Sequence, residues 1–474
     1  MSTEMILLIL VVLAGAYMAW NIGANDVANA MGTSVGSGAL TLKQAVCIAA
    51  VLEFSGAFFF GSHVSETIQK GIVDSSIFKD PLILVYGMLS ALIAAGAWLQ
   101  VASYYGWPVS TTHSIVGAVI GFGAIVGGVE AIYWDNVAFI ATSWVLSPLL
   151  GGLLSYGIFN LLRRHIFYTS NPVESAKKIT PYLVFCVIAI LAQVMLYKGL
   201  SNVALQFNFL QALGISFLCG AVGFLVSMLL LRLVPPLDKI KQDGEDHPEL
   251  SSELEKAKKH LVMIQQTSLG SIQYQAKEII EEMQILSESL KQKDSVSKEG
   301  AEYAIVEKIF GYLQVISACL MAFAHGANDV ANAIGPLAAA IGVLTTGQIS
   351  AQATIPTWAL ALGGVGIVVG LATWGWRVIE TIGRKITELT PTRGFSAEFG
   401  AAATILIASR LGLPISTTHT LVGSVIGVGL ARGIEALDLR TTRHIMISWI
   451  VTVPAGAIIT IVLFFIIRAI FGTN

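Results

Sequence analysis

Long apolar runs broken by short polar ones dominate the chain. Crossing a hydrocarbon core of about 30 Å takes about 20 apolar residues in a helix. On that criterion about twelve segments qualify as spans: 5–33, 42–62, 82–105, 108–129, 136–162, 181–200, 209–234, 306–341, 349–376, 396–411, 413–431 and 442–470. The first and eighth are longer than a simple crossing needs. Each carries the string GANDVANA in its second half, Gly23 to Ala30 and Gly326 to Ala333. Gly and Asn weaken a helix, so both spans are expected to be interrupted there. Between Val234 and Tyr303 the pattern changes to "PPLDKIKQDGEDHPEL" and a long charged stretch. Within it Leu250, Leu254, Ala257, Leu261 and Ile264, then Ile272, Ala276, Ile279, Met283, Leu286 and Leu290, recur in steps of three and four. That spacing predicts two amphipathic helices in a water-facing hairpin, turning at Ser268 to Ser271. The chain thus divides into 1–234, a first repeat with connecting membrane helices; 235–305, a helical loop; and 306–474, a second repeat.

The two GANDVANA strings belong to a larger duplication. "GWPVSTTHSIVGAVIGFG" from Gly106 aligns without a gap with "GLPISTTHTLVGSVIGVG" from Gly412, identical at 12 of 18 positions. The first motif repeats at a spacing of 303 residues and the second at 306. Seven spans separate the starts of the two copies, and an odd number inverts the second. Basic residues agree with inversion: "GGVEAIYWDN" after the first STTH segment has no Lys or Arg, whereas the matching "ARGIEALDLRTTRH" has Arg432, Arg440 and Arg443. The tendency of Lys and Arg to stay inside puts the first loop outside and the second in the cytoplasm. Arg163, Arg164, Arg232, Arg377, Arg384 and Lys385 then also fall inside, with the central loop cytoplasmic and both termini outside. Lys70 and Lys79 fall on the other side, offset by Glu66, Asp74 and Asp80.

Composition supports lipid as the solvent. The chain of 474 residues is 55% hydrophobic and 12% charged, with a mean hydropathy of +0.73, which reads as an all-α polytopic membrane protein. Its net charge of -2 gives no reason to expect a nucleic-acid partner. The 46 glycines are scattered through apolar runs, as close helix packing requires. Cys47, Cys186, Cys219 and Cys319 stand alone in apolar segments and are expected to be buried thiols. No Lys or Arg precedes the apolar run from Met5 to Trp20, so the amino end reads as a retained membrane helix rather than a cleaved signal.

Two residue groups carry chemistry. In "PVSTTHS" and "PISTTHT" a Pro suited to a first helical turn stands beside Ser and Thr suited to capping it, so each reads as a helix beginning inside the membrane. Such an end offers unpaired N–H groups and partial positive charge. Ser110, Thr111 and Thr112, with Ser416, Thr417 and Thr418, add hydroxyls. Two such ends brought together by inverted repeats form a site for a tetrahedral oxyanion without Lys or Arg. His113 and His419 read as supporting residues rather than ligands. The second group is acidic: Asp26, Asp329, Glu53 and Glu398 lie in or beside apolar spans. A carboxylate at that depth costs a few kcal/mol and calls for a cation partner. No Lys or Arg lies nearby in sequence to neutralise Asp26 or Glu53, so a bound hard cation is the expected partner, with Asn25, Asn29, Asn328 and Asn332 adding carbonyl oxygens from the same helical turns.

Two GANDVANA copies, each followed by a P-[VI]-STTH segment, with a hydrophilic loop between the halves, resemble the inorganic phosphate transporter (PiT) family over nearly the whole membrane portion. The resemblance implies a dimeric plasma-membrane symporter on an inverted-repeat fold, driving phosphate uptake with sodium or, in some bacterial members, protons. It has no cofactor beyond the co-transported ion and is not an enzyme. Family positions map onto Asp26, Asp329, Glu53, Glu398, Ser110 and Ser416. His325 stands where the first copy has Ile22, and Glu398 aligns with Leu92, so the halves are not equivalent. Sulfate or metal-phosphate cargo and proton coupling are alternatives within transport. An anion channel would not need the membrane acids, and HExxH or a Ser/His nucleophile context is absent.

Overall fold

The structure is a computed structural model that describes residues 2–61, 72–73, 80–198, 207–232, 248–267, 271–349, 355–410 and 415–472. Fourteen helices follow in chain order. They are α1 (Thr3–Gly36), α2 (Leu42–Phe60), α3 (Pro81–Tyr104), α4 (Thr111–Gly127), α5 (Trp134–Leu162), α6 (Pro172–Lys198) and α7 (Phe209–Leu231). Then come α8 (Pro248–Thr267), α9 (Ser271–Thr346), α10 (Thr357–Trp374), the single turn α11 (Trp376–Glu380), α12 (Pro391–Arg410), α13 (Thr417–Arg432) and α14 (Leu439–Phe471). Local signals set several starts. Thr41 and Gln44 close a capping box on α2, Asn208 and Gln211 do the same on α7, and Asp80 caps α3 with Pro81 at its first position. Among the described residues the sole β feature is an antiparallel bridge between Val73 and Ile132.

Each of the twelve predicted spans coincides with a helix, and among the described residues nine helices are long and apolar enough to cross a membrane. The three that fall short, α4, α12 and α13, belong to two helix pairs that the STT segments divide, α3 with α4 and α12 with α13. The interruption expected at GANDVANA is therefore placed elsewhere. Both copies lie inside continuous helix, in α1 and in the 76-residue α9. Packing supplies what the local sequence lacks, because each motif glycine seats another backbone. A Cβ on Gly23 would come within 1.9 Å of the Ile367 carbonyl of α10, and one on Gly326 within 2.1 Å of the Glu53 carbonyl of α2. The two predicted amphipathic helices form as α8 and the start of α9 and pack on each other; the turn expected between them falls at 268–270, outside the described residues, and α9 continues without a break into the second motif. The cysteines are not buried: Cys47 and Cys186 are exposed and Cys219 and Cys319 half-buried, on apolar helix faces suited to lipid.

The duplication is visible in element order. After each STT helix comes a positive-φ glycine, Gly128 or Gly433, a single 3-10 turn, Val129–Ala131 or Ile434–Ala436, and a long helix with an internal proline, Pro148 or Pro454. The halves interlock. The pair α3 and α4 packs on α14, whereas α12 and α13 pack on α5. Gly117 and Gly121 let α4 touch the backbone of Val453 and Ala457, and Gly423 and Gly427 let α13 touch that of Pro148 and Gly152. Two apolar cores result. In α1, Leu7 to Ile22 join one and Val27 to Met31 the other; in α9, Ile305 to Ala322 join one core and Val330 to Val343 the opposite one. Both changes of allegiance fall at GANDVANA, so the polar motifs lie on the seam between the cores.

Candidate functional site

Ser110 and Ser416 are the N-caps of α4 and α13, each accepting the main-chain N–H three residues on at 3.2 Å. Pro108 lies two residues ahead of the cap rather than in the first turn, and Pro414 lies outside the described residues. All six Ser and Thr residues of the two clusters are buried. Early main-chain N–H groups of each helix face outward along the axis, in the geometry that favours an anion.

The motif of each half meets the STT cluster of the other. Asn29 donates to Thr418 Oγ1 at 2.8 Å and lies 3.5 Å from Thr417 Oγ1. Thr418 in turn donates to Asp26 Oδ1 at 3.0 Å, and Asn29 also donates to that oxygen at 3.1 Å. In the reciprocal contact Asn332 donates to Thr111 and Thr112 at 3.1 and 3.3 Å. Asp329 receives Thr417 at 2.9 Å and the Asn328 amide at 2.8 Å. Asn25 is turned to the break before α4: its amide donates to Ser103 and to the Trp107 carbonyl at 3.1 Å each, and its oxygen accepts from the Val109 N–H at 3.3 Å. Asn25 thus holds the loop and is not directed at the carboxylates.

His325, absent from the predicted ligands, stands at the centre of the acidic group. Its Nε2 is 2.9 Å from Asp329 Oδ2 and 3.8 Å from Asp26 Oδ2, and its Nδ1 is 3.2 Å from Glu53 Oε1. The signal that points to it is its position one turn before Asp329 in an apolar span, where the first copy has isoleucine. Three buried carboxyl groups surround one imidazole, so acidic groups outnumber the single titratable cation among them. Both Glu53 oxygens and Asp26 Oδ2 lack a hydrogen-bond partner of good geometry among the described residues. Unsatisfied oxygens of this kind are costly when buried and suit a hard cation; Asp26, His325 and Asp329 together bring ligand atoms within 4.8 Å of one another.

Glu398 is elsewhere. It receives the hydroxyls of Thr33, Ser34 and Ser317 and the Gln314 amide, with Ser34 at 2.7 Å and Gln314 at 3.3 Å. Thr33 is seven residues beyond Asp26 on α1, about 10 Å at the helical rise. The acids expected to share one centre therefore form two: Asp26, Glu53 and Asp329 around His325, and Glu398 in a cage of neutral donors. The reason is where the helices meet, since Glu398 of α12 faces Thr33 and Ser34 of α1 and Gln314 and Ser317 of α9. Sequence reasoning did not find Thr33, Ser34, Gln314 and Ser317, which look like ordinary helix polar residues until α1, α9 and α12 are brought together.

The residues of this site all lie within the stretch that a known family model matches. The model of the phosphate transporter family matches residues 22–460. The chain belongs to that family. As a member of the phosphate transporter family it is a transporter and not an enzyme. It is 50% identical over 455 residues to inorganic phosphate transporter 2-1, chloroplastic, of Arabidopsis thaliana, covering 95% of this chain and 70% of that protein. It is 46% identical to a putative phosphate permease of Chlamydia pneumoniae over 98% of this chain and 99% of the other. A solved structure described as the sodium-dependent phosphate transporter is similar with a TM-score of 0.78 and 38% identity, over 98% of this chain and 99% of that one.

Proposed function

We propose that this transporter takes up inorganic phosphate by symport with sodium ions. The observation that carries the reading is the crossed contact in which Asn29 and Asp26 of one half hold Thr418 of the other, so the cation centre and the anion centre share a hydroxyl. Phosphate is shared by Ser110, Thr111 and Thr112 and by Ser416, Thr417 and Thr418, using hydroxyls and helix N–H groups. Sodium binds at Asp26, Asn29, Asp329, Asn332 and Glu53, with Asn25 and Asn328 shaping the walls, and a further ion binds at Glu398. Anion and acids repel strongly in a low dielectric, so each ligand favours the other's binding. Hydrogen phosphate can also donate to a carboxylate, as sulfate cannot, which favours phosphate as cargo. The remaining parts of the reading are the division at 234 and 305, inversion of the halves, a cytoplasmic loop with both termini outside, a plasma-membrane location in contact with lipid, and a homodimer. Inversion is supported by the matched loops with and without arginine.

One observation favours a second reading, proton coupling: His325 is a titratable cation already seated among Asp26, Glu53 and Asp329. Radiolabelled phosphate uptake into proteoliposomes, under an imposed sodium or proton gradient and with sulfate as competitor, separates the two. Acceleration by inward sodium alone, without sulfate competition, is the expected result. Uptake indifferent to both gradients overturns symport.

A further inference from the structure

Four aromatic rings stand in a row behind the two helix starts, and the transport reading uses none of them. Trp144 of α5 lies against His113 of α4 with centroids 3.6 Å apart. His113 meets His419 of α13 edge-on at 4.2 Å, and His419 stacks on Trp449 of α14 at 3.7 Å. Both imidazoles are buried, at 3% and 2% exposure. Each follows its cap by three residues and is tied to it through the main chain, His113 to Ser110 and His419 to Ser416. Trp449 also donates its indole N–H to the Pro108 carbonyl at 3.1 Å, gripping the loop that leads into α4.

The row crosses the seam, with two rings from each half. Neither nitrogen of His113, nor His419 Nε2, nor Trp144 Nε1 has a hydrogen-bond partner of good geometry among the described residues, and beside the stacking each imidazole faces the main chain of a tryptophan across the row, His113 that of Trp449 and His419 that of Trp144. The flanks are rigid, since α4 meets α14 and α13 meets α5 at glycine-to-backbone contacts. Planar rings have few torsions and resist compression.

We propose that this four-ring row is the spacer that sets the separation of the two STT clusters, making His113 and His419 positioning residues for the anion rather than ligands to it. The inference rests on the reading that one phosphate bridges the clusters.

The test is phosphate KM and Vmax in proteoliposomes at saturating sodium. His113→Ala and His419→Ala each raise the phosphate KM about tenfold, since small misplacements of a built site are amplified in binding. Vmax per reconstituted protein and half-saturating sodium stay within about twofold of wild type on the same argument. The double variant is no worse than either single one, because either gap releases the same spacing. Trp144→Phe keeps a ring, removes an unpartnered N–H and leaves KM unchanged, whereas Trp144→Leu raises it. Unchanged KM in the histidine variants, effects that multiply in the double variant, or loss of Vmax alone overturns the proposal. If the histidine variants do not fold, equal KM for Trp144→Phe and Trp144→Leu overturns it instead. Failure of the underlying reading is distinct: Thr111→Val and Thr418→Val would then leave phosphate KM at its wild-type value.

Discussion

Thr418 is where the two chemistries touch, since its hydroxyl accepts from Asn29 and donates to Asp26. Thr418→Val keeps the shape and removes both bonds. A hydrogen bond to a charged group is worth about 1.5–3 kcal/mol, so the expected outcome is a rise of about tenfold or more in phosphate KM, measured by initial uptake rates. Asp26→Asn keeps the size and removes the charge that a cation needs; half-saturating sodium for phosphate uptake is expected to rise by about an order of magnitude. Unchanged sodium kinetics would remove Asp26 from the site. Glu398 makes a separable case, because its donors Thr33, Ser34, Gln314 and Ser317 form no part of the histidine-centred group. Glu398→Gln is expected to lower the Hill coefficient for sodium while leaving phosphate KM at saturating sodium nearly intact, whereas a loss confined to phosphate KM would contradict a separate ion there. At this scale the sequence was readable where cost decides: a carboxylate in an apolar run is conspicuous, and Asp26, Glu53, Asp329 and Glu398 all proved buried. Asn25 and Asn29 look alike along the chain, but only the fold turns one to a loop and the other to Thr418.

Elements in this protein are held at the distance glycine permits. Gly326 and Gly23 seat the backbones of α2 and α10 against the motif helices, and any Cβ there meets a carbonyl oxygen. Gly326→Val is expected to lower the thermal midpoint by several degrees through overpacking of about 1–3 kcal/mol, read by fluorescence-detected size exclusion after heating. Gly157 in α5 has nothing within 4 Å of a built Cβ, so Gly157→Ala is expected to hold or slightly raise the midpoint. Equal behaviour of the two would mean that close approach is not what Gly326 provides. The same contacts explain why the expected interruption at GANDVANA does not occur. Propensity disfavours Gly and Asn in a helix by about 1 kcal/mol or less each, and tight packing on two neighbours outweighs that.

For the whole molecule, inversion of the halves predicts that matched loops face opposite sides of the membrane. Val129 and Ile434 occupy matching 3-10 turns and are 63% and 61% exposed. In a background with Cys47, Cys186, Cys219 and Cys319 replaced by serine, Val129→Cys is expected to react with an impermeant maleimide on intact cells and Ile434→Cys only after permeabilisation. Labelling of both from the same side would exclude inversion. The unbroken α9 adds a mechanical consequence: the second arm of the amphipathic pair and Asp329 lie on one continuous helix, so a displacement of one is carried to the other.

What the sequence determined by itself is local or periodic. Apolar runs marked the helices, Ser and Thr after Pro marked two starts inside the membrane, and a repeated pair of strings marked the duplication, because each depends on neighbours within a turn or on comparison along the chain. What only the tertiary structure decided is pairing between distant segments, 389 residues apart for Asn29 and Thr418 and 220 for Asn332 and Thr112. It decided that each motif reaches the STT cluster of the other half, that His325 sits among three acids, and that Glu398 stands apart in its own cage. Those contacts arise where helices cross, and a crossing is set by which glycines let two backbones meet, a property of both partners that neither segment carries alone.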